Sequence, residues 1–280
     1  MTRVGLRRPG IYKSRDEMRS MIRPGLLTAE SLDAVAAAIR PGVSTLELDA
    51  IAEKVIRDGG GVPNFMLVPG YRHTVCASVN DEVVHGIPGE RVLRAGDIVS
   101  IDSGAEVDGW NGDSARTFVL DEADATEVDS ERRRLNRVTE EALWHGIAAL
   151  ATARRLDEVG GAIEDHVESQ GVFGIIEDYT GHGIGRSMHE DPPVFNYRVS
   201  GRSPVVKPGL VVAIEPMITL GTIDTVTQAD DWTVSTTDGS DAAHWEHSVA
   251  VHDGGIWVLT AADGGASGLA PLGIRPVPIA

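Results

Sequence analysis

The chain has a single cysteine, Cys76, in 280 residues. That rules out an internal disulfide framework and suits a reducing compartment. The neighbours Val75 and Ala77 make this thiol a buried, inert one rather than a nucleophile. Basic charge is also scarce. Lys and Arg number 25 against 42 Asp and Glu, a net charge of -17. A protein that follows nucleic-acid phosphates concentrates Lys and Arg on one face, so this balance argues against that class. Long apolar runs are missing as well. No stretch approaches the roughly 18 residues of a membrane span, and the basic residues 1–13 are followed by no apolar core of a secretion signal. With 42% apolar and 24% charged residues, the composition is that of an ordinary globular protein placed in the cytoplasm.

Residues 1–13 read as a loose arm. Ser14 with Glu17 then forms a capping box opening a helix, which Pro24-Gly25 should kink or break before it resumes over 26–39. A second capping box, Ser44 with Glu47, opens a helix whose buried face is Leu48, Ile51, Ala52, Val55 and Ile56, ended by three glycines at 59–61. Short β-type runs follow at 74–79, 98–102, 106–110 and 116–120, separated by Gly, Pro, Asn and Asp. Helical periodicity returns over 130–150 and 156–169, and a second β-rich section spans 173–260. Residues 132–134, three arginines, read as a solvated helix face. The tail, 262–280, has no periodicity and reads as an extended surface strip or disorder.

The order helices, strands, helices, strands indicates an α+β domain over 14–261, with related halves at about 14–121 and 122–261. The segment ending Ile98-Val99-Ser100-Ile101-Asp102 aligns with the one ending Val211-Val212-Ala213-Ile214-Glu215. Equivalent strands of the two halves would each deliver a carboxylate.

Asp108-Gly109 favours a two-residue hairpin turn. Counting outward from it, Val107 faces Trp110 and Gly104 pairs with Asp113. Asp102 then becomes a diagonal neighbour of Asp113 on the same face. Two carboxylates so placed repel unless a cation lies between them. His182 stands in Gly181-His182-Gly183-Ile184-Gly185, where backbone can approach a ligand closely. Glu215 ends an apolar run and is followed by Pro216, which stops strand pairing at the point where a side chain enters a cleft. Glu246 lies in Trp245-Glu246-His247, just before another strand. Four carboxylates and one imidazole form a hard donor set suited to Mn²⁺, Fe²⁺, Co²⁺ or Zn²⁺.

These residues are where the chain resembles the type I methionine aminopeptidases of bacteria, which share the pita-bread fold with prolidases and creatinases. The motifs are Val84-His85-Gly86-Ile87-Pro88, Ile101-Asp102, Gly112-Asp113, Gly181-His182-Gly183-Ile184-Gly185-Arg186, Ile214-Glu215-Pro216-Met217 and Trp245-Glu246-His247. The resemblance runs from about Ser14 to Leu259. It implies two divalent metal ions held by Asp102, Asp113, His182, Glu215 and Glu246, with Asp113 and Glu246 bridging. It implies attack by an acidified water on the carbonyl after the first residue, with Glu215 as proton acceptor. His189 would hydrogen-bond the scissile carbonyl or the developing oxyanion, and His85 would contact the peptide nitrogen or the leaving amine. Phe65, Tyr71, Cys76 and Trp232 would form the methionine pocket. Val68 and Met188 depart from the tyrosine and phenylalanine of many relatives, which bears on pocket shape rather than chemistry.

The substrate implied is the N-terminal methionine of peptides and nascent proteins, cut by a monomer working near the ribosome. A general or X-Pro aminopeptidase on the same fold is the alternative enzyme. The extra N-terminal domain of prolidases is not seen, which favours methionine removal. A metal-free binding protein is the alternative of another class, and retention of the whole acidic set argues against it.

Overall fold

The computed structural model describes residues 10–120 and 131–280; most of the expected arm and Ser130 lie outside the described residues. Both capping boxes form. Ser14 opens α1 (Arg15–Ser20), with Glu17 reaching back to its N–H, and Ser44 with Glu47 does the same for α3 (Thr45–Asp58). Between them α2 spans Ile22–Ala38. The helix break therefore falls at Met21 and not at Pro24-Gly25. Pro24 sits in the first turn of α2, where its missing N–H has no intrahelical partner to lose.

The first half continues with β1 (Val62–Pro63), β2 (Val75–Val79), β3 (Glu82–Val84), β4 (Ile98–Val107) and β5 (Trp110–Val119). The runs expected separately at 98–102 and 106–110 are one strand up to the turn, bridged by the small residues Ser103, Gly104 and Ala105. A Cβ on Gly104 would lie 2.2 Å from Asn64 Oδ1, and the Ala105 N–H donates to Thr28 Oγ1 at 3.1 Å. Small side chains here reflect close packing, not a loop. The turn is the expected two-residue one, with positive φ at Asp108 (52°) and Gly109 (73°), and Val107 faces Trp110 while Gly104 faces Asp113.

The second half begins with α4 (Glu131–Leu150) and α5 (Asp157–Gln170). Its strands are β6 (Gly174–Ile175), β7 (Gly181–Gly183), β8 (Glu190–Val194), β9 (Val211–Ile214), β10 (Met217–Thr219), β11 (Thr225–Thr227), β12 (Val234–Thr236), β13 (Ala242–His244), β14 (His247–His252) and β15 (Gly255–Val258). Strand β4 is flanked by β5 on one edge and β1 and β2 on the other, while the largest sheet runs β15-β14-β9-β7-β8. Helices cover the outside of each half. Leu32, Val35, Leu48 and Ala52 pack on Val99 and Ile101, and Leu135, Leu143, Ile147 and Ile163 pack on Val212 and Ile214. Side chains alternate along a strand, so a core-facing Ile101 turns Asp102 inward.

The halves are sewn together along β5. Ala115 exchanges backbone hydrogen bonds with Glu246, and Thr117 Oγ1 donates to the His244 carbonyl at 2.7 Å. The tail corrects the extended-strip expectation. It forms α6 (Ala266–Leu269) and a 3-10 turn (Ala270–Leu272), and Ile279 is buried with Met18, Met21 and Trp110. Gly268 leaves room for the Trp144 ring, since a Cβ there would come within 2.2 Å of it. In the arginine run, Arg132 clasps Asp241 and Arg134 lies over the Phe173 ring at 4.9 Å.

Candidate active site

Asp102 and Asp113 enter the space between the halves from β4 and β5. Asp113 is held from its backbone. Its N–H donates to Ser248 Oγ at 3.1 Å, and the same hydroxyl donates to its carbonyl at 2.8 Å. Glu246 follows from the seam with Ala115, and Ser114 Oγ donates to its carbonyl at 2.6 Å. Glu215 leaves the end of β9, its carbonyl accepting from Asn196 Nδ2 at 3.1 Å. His182 lies on β7, with Nδ1 3.0 Å from the Gly183 carbonyl. A carbonyl only accepts, so Nδ1 carries the proton and the Nε2 lone pair faces the carboxylates. That nitrogen is 3.4 Å from Glu215 Oε1 and 4.0 Å from Asp113 Oδ2. Arg186, from the same glycine-rich segment, ties the β4–β5 turn in place by donating to the Asp108 and Gly109 carbonyls at 2.8 and 3.2 Å.

Five candidate ligands thus converge on one cavity of about 200 Å³, together with His85, His189, Phe65, Tyr71, Cys76 and Trp232. Its acidic floor is electrostatically unfinished. Asp102 Oδ1, Asp113 Oδ1 and Glu246 Oε1 are buried without a hydrogen-bond partner. Burial pushes the Asp102 and Glu215 carboxyls up to about 7. Asp113 and Glu246 are raised well above the usual carboxylate range, by burial and then by the neighbouring aspartates. Donor atoms of Asp113, His182 and Glu246 lie within 4.8 Å of one another. Unpaired carboxylate oxygens around an inward lone pair are a donor set that divalent cations fit.

His85 sits at φ 60° between β3 and Gly86, a left-handed conformation uncommon for a residue with a side chain. Gly86 is required beside it, because a Cβ would lie 2.4 Å from the Ala77 carbonyl oxygen. The ring meets Tyr179 edge-on at 5.5 Å, and burial brings its pKa down to about 4. His189 packs edge-on against His182 at 4.4 Å and is lowered by burial and by His85. Both imidazoles are therefore neutral at pH 7.

The other wall is apolar. Phe65, Tyr71 and Cys76 cluster with Val68, Met188 and Trp232, and the Tyr71 and Trp232 rings stand 5.0 Å apart. Burial pushes the Cys76 thiol up, in keeping with an inert role. Sequence reasoning missed His244. It lines the cavity, fully buried, with Nε2 3.5 Å from Glu215 Oε2 and no hydrogen-bond partner. The signal was its spacing. A histidine two residues before Glu246 falls on the same face of an extended segment.

An α+β fold with a buried carboxylate–imidazole cluster at the seam of two halves defines a metallohydrolase. The chain belongs to metallopeptidase family M24, matched over residues 19–253, and within it to the methionine aminopeptidases. Methionine aminopeptidase 1 of Mycobacterium tuberculosis is 48% identical, over 93% of this chain and 98% of that one. The crystal structure of methionine aminopeptidase from Thermotoga maritima superposes with a TM-score of 0.84 at 38% identity, covering 89% of this chain and 98% of the other. Prolidase from Pyrococcus furiosus, at 20% identity and a TM-score of 0.68, covers 90% of this chain and 65% of its own and shares the fold alone. The architecture is the pita-bread fold. Among the described residues, no helix is long and apolar enough to cross a membrane.

Proposed function

We propose that this aminopeptidase removes the initiator methionine from peptides and nascent proteins whose second residue is small, using two divalent cations. The observation that carries this reading is the joining of the acidic cluster to an apolar wall in one cavity. Asp102 would chelate one cation, His182 and Glu215 would serve the other, and Asp113 and Glu246 would bridge them. When bound, the cations lower the pKa of a water and polarise the scissile carbonyl. They are drawn from Co²⁺, Mn²⁺, Fe²⁺ and Zn²⁺.

The side chains then divide the work. Phe65, Tyr71, Cys76 and Trp232 enclose a thioether, which favours a soft, flexible side chain over a charged one. Glu215 takes the proton of the attacking water on Oε2, the oxygen facing His244, and returns it to the amine as the C–N bond breaks. Neutral His189 donates to the carbonyl oxygen as negative charge develops there, and His85 contacts the peptide nitrogen. The reaction belongs to a cytoplasmic monomer. Contact with ribosomal RNA would need a local basic surface, and Arg132 and Arg134 are turned instead to Asp241 and Phe173.

The test is product release from Met-Ala-Ser, Leu-Ala-Ser and X-Pro peptides by metal-stripped protein refilled with each cation. Methionine should be released at least tenfold faster than leucine, with X-Pro peptides left intact. Preference for Leu or X-Pro peptides would reassign the pocket.

A further inference from the structure

One group of metal-binding side chains lies outside the cavity and takes no part in the chemistry above. Glu141 and His145 are four residues apart on α4 and so share a face of that helix. His166 reaches the same place from α5. The two imidazoles stack with centroids 4.3 Å apart and planes 22° apart. His166 Nε2 lies 3.4 Å from Glu141 Oε2, and the His166 side chain is 8% exposed. That nitrogen is buried, and the Glu141 carboxylate is its polar neighbour. None of the three residues lines the central cavity.

Burial and the adjacent His145 hold His166 below the usual imidazole range. A neutral ring offers a lone pair to a cation, and a neighbouring carboxylate supplies the charge. We propose that Glu141, His145 and His166 form a second metal site, which takes a borderline divalent cation of the Zn²⁺ type and pins α4 to α5. Two imidazoles and one carboxylate are a three-ligand set for zinc, with water as the fourth partner, and they disfavour Ca²⁺ and Mg²⁺. Among the described residues, only Asp113, His182 and Glu246 already bring three donor atoms within 4.8 Å. Closing the outer site needs rotation of Glu141 and His145 about their side-chain bonds. Glu141 has the freedom to turn, its side chain being 46% exposed, while the buried His166 stays fixed as the anchor.

The experiment counts Zn²⁺ by equilibrium dialysis and elemental analysis on the whole protein, the Asp113→Ala variant, and His145→Ala or Glu141→Gln placed in each background. Circular dichroism verifies that each variant is folded. The site predicts that His145→Ala lowers bound Zn²⁺ by one equivalent in both backgrounds while methionine release by the otherwise unaltered protein stays within twofold. Glu141→Gln should weaken the same equivalent at least tenfold. Cu²⁺ loaded on Asp113→Ala should show nitrogen hyperfine couplings that His145→Ala reduces. Equal Zn²⁺ content and unchanged Cu²⁺ spectra in the presence and absence of His145 would overturn the proposal.

Discussion

At the scale of single residues, His244 separates support from ligation. Its Nε2 is 3.5 Å from Glu215 Oε2 and has no other partner. Removing a group that orients a ligand carboxylate typically costs 10–100-fold in metal affinity. His244→Ala should therefore weaken Mn²⁺ binding by about that factor, read by calorimetric titration, while unchanged affinity would place the ring outside the metal's surroundings. His85 makes a pH prediction. Its pKa is near 4 in the fold against about 6.5 when unfolded. Above pH 6.5 the ring is neutral in both states and its contribution to stability is fully present. As pH falls from 6.5 towards 4 the unfolded chain takes up the proton first, so stability is lost. Urea midpoints should fall more steeply over that window in the parent than in His85→Gln; parallel curves would contradict the assignment. Asp102 and Glu215 were legible because each ends an apolar run, Asp113 and His182 because each follows a glycine, and Glu246 because a strand follows it. His244 was not, since its one mark is the two-residue spacing to Glu246.

At the scale of elements, the hairpin β4–β5 was readable to the residue because Asp108-Gly109 fixes the turn and the turn fixes the register. The closeness of α2 to that hairpin was not. A Cβ on Gly112 would lie 2.7 Å from the Gly25 Cα. Gly112→Ala must therefore push α2 away from the strand that delivers Asp113. Overpacking of this kind costs about 1–3 kcal/mol. The variant should melt at a lower temperature and bind Mn²⁺ more weakly, whereas a surface change such as Glu30→Ala should do neither. An unaltered melting temperature in Gly112→Ala would show that the contact yields freely. The sequence pattern erred at Pro24-Gly25 and in the tail for the same reason. Both stretches serve close approach, since a Cβ on Gly25 would lie 2.5 Å from the Leu259 carbonyl oxygen and one on Gly268 would meet the Trp144 ring, and glycine signals a break or a tight contact with equal force.

At the scale of the whole molecule, the two halves were visible as repeated blocks of helix and strand. The seam along β5 was not, because Ala115 pairs with Glu246 through backbone atoms that leave no trace in residue type. That seam gathers the candidate ligands from both halves, so cation binding should stabilise the fold as a unit. A cation that binds only the folded state adds about 2.7 kcal/mol at one hundred times its dissociation constant. Stripping with a chelator should lower the melting temperature and refilling should restore it. Equal melting temperatures would mean that the cluster is not a binding site.

The most direct measurement is methionine release from Met-Ala-Ser as Mn²⁺ or Co²⁺ is titrated into metal-stripped protein, for the parent chain and Asp113→Ala side by side. Asp113 is buried, reaches the cavity from the seam, and groups with His182 and Glu246. Activity should rise from near zero to saturation with added cation in the parent and stay at least a hundredfold lower in the variant at every concentration. Release that needs no cation, or that survives intact in Asp113→Ala, would contradict this expectation.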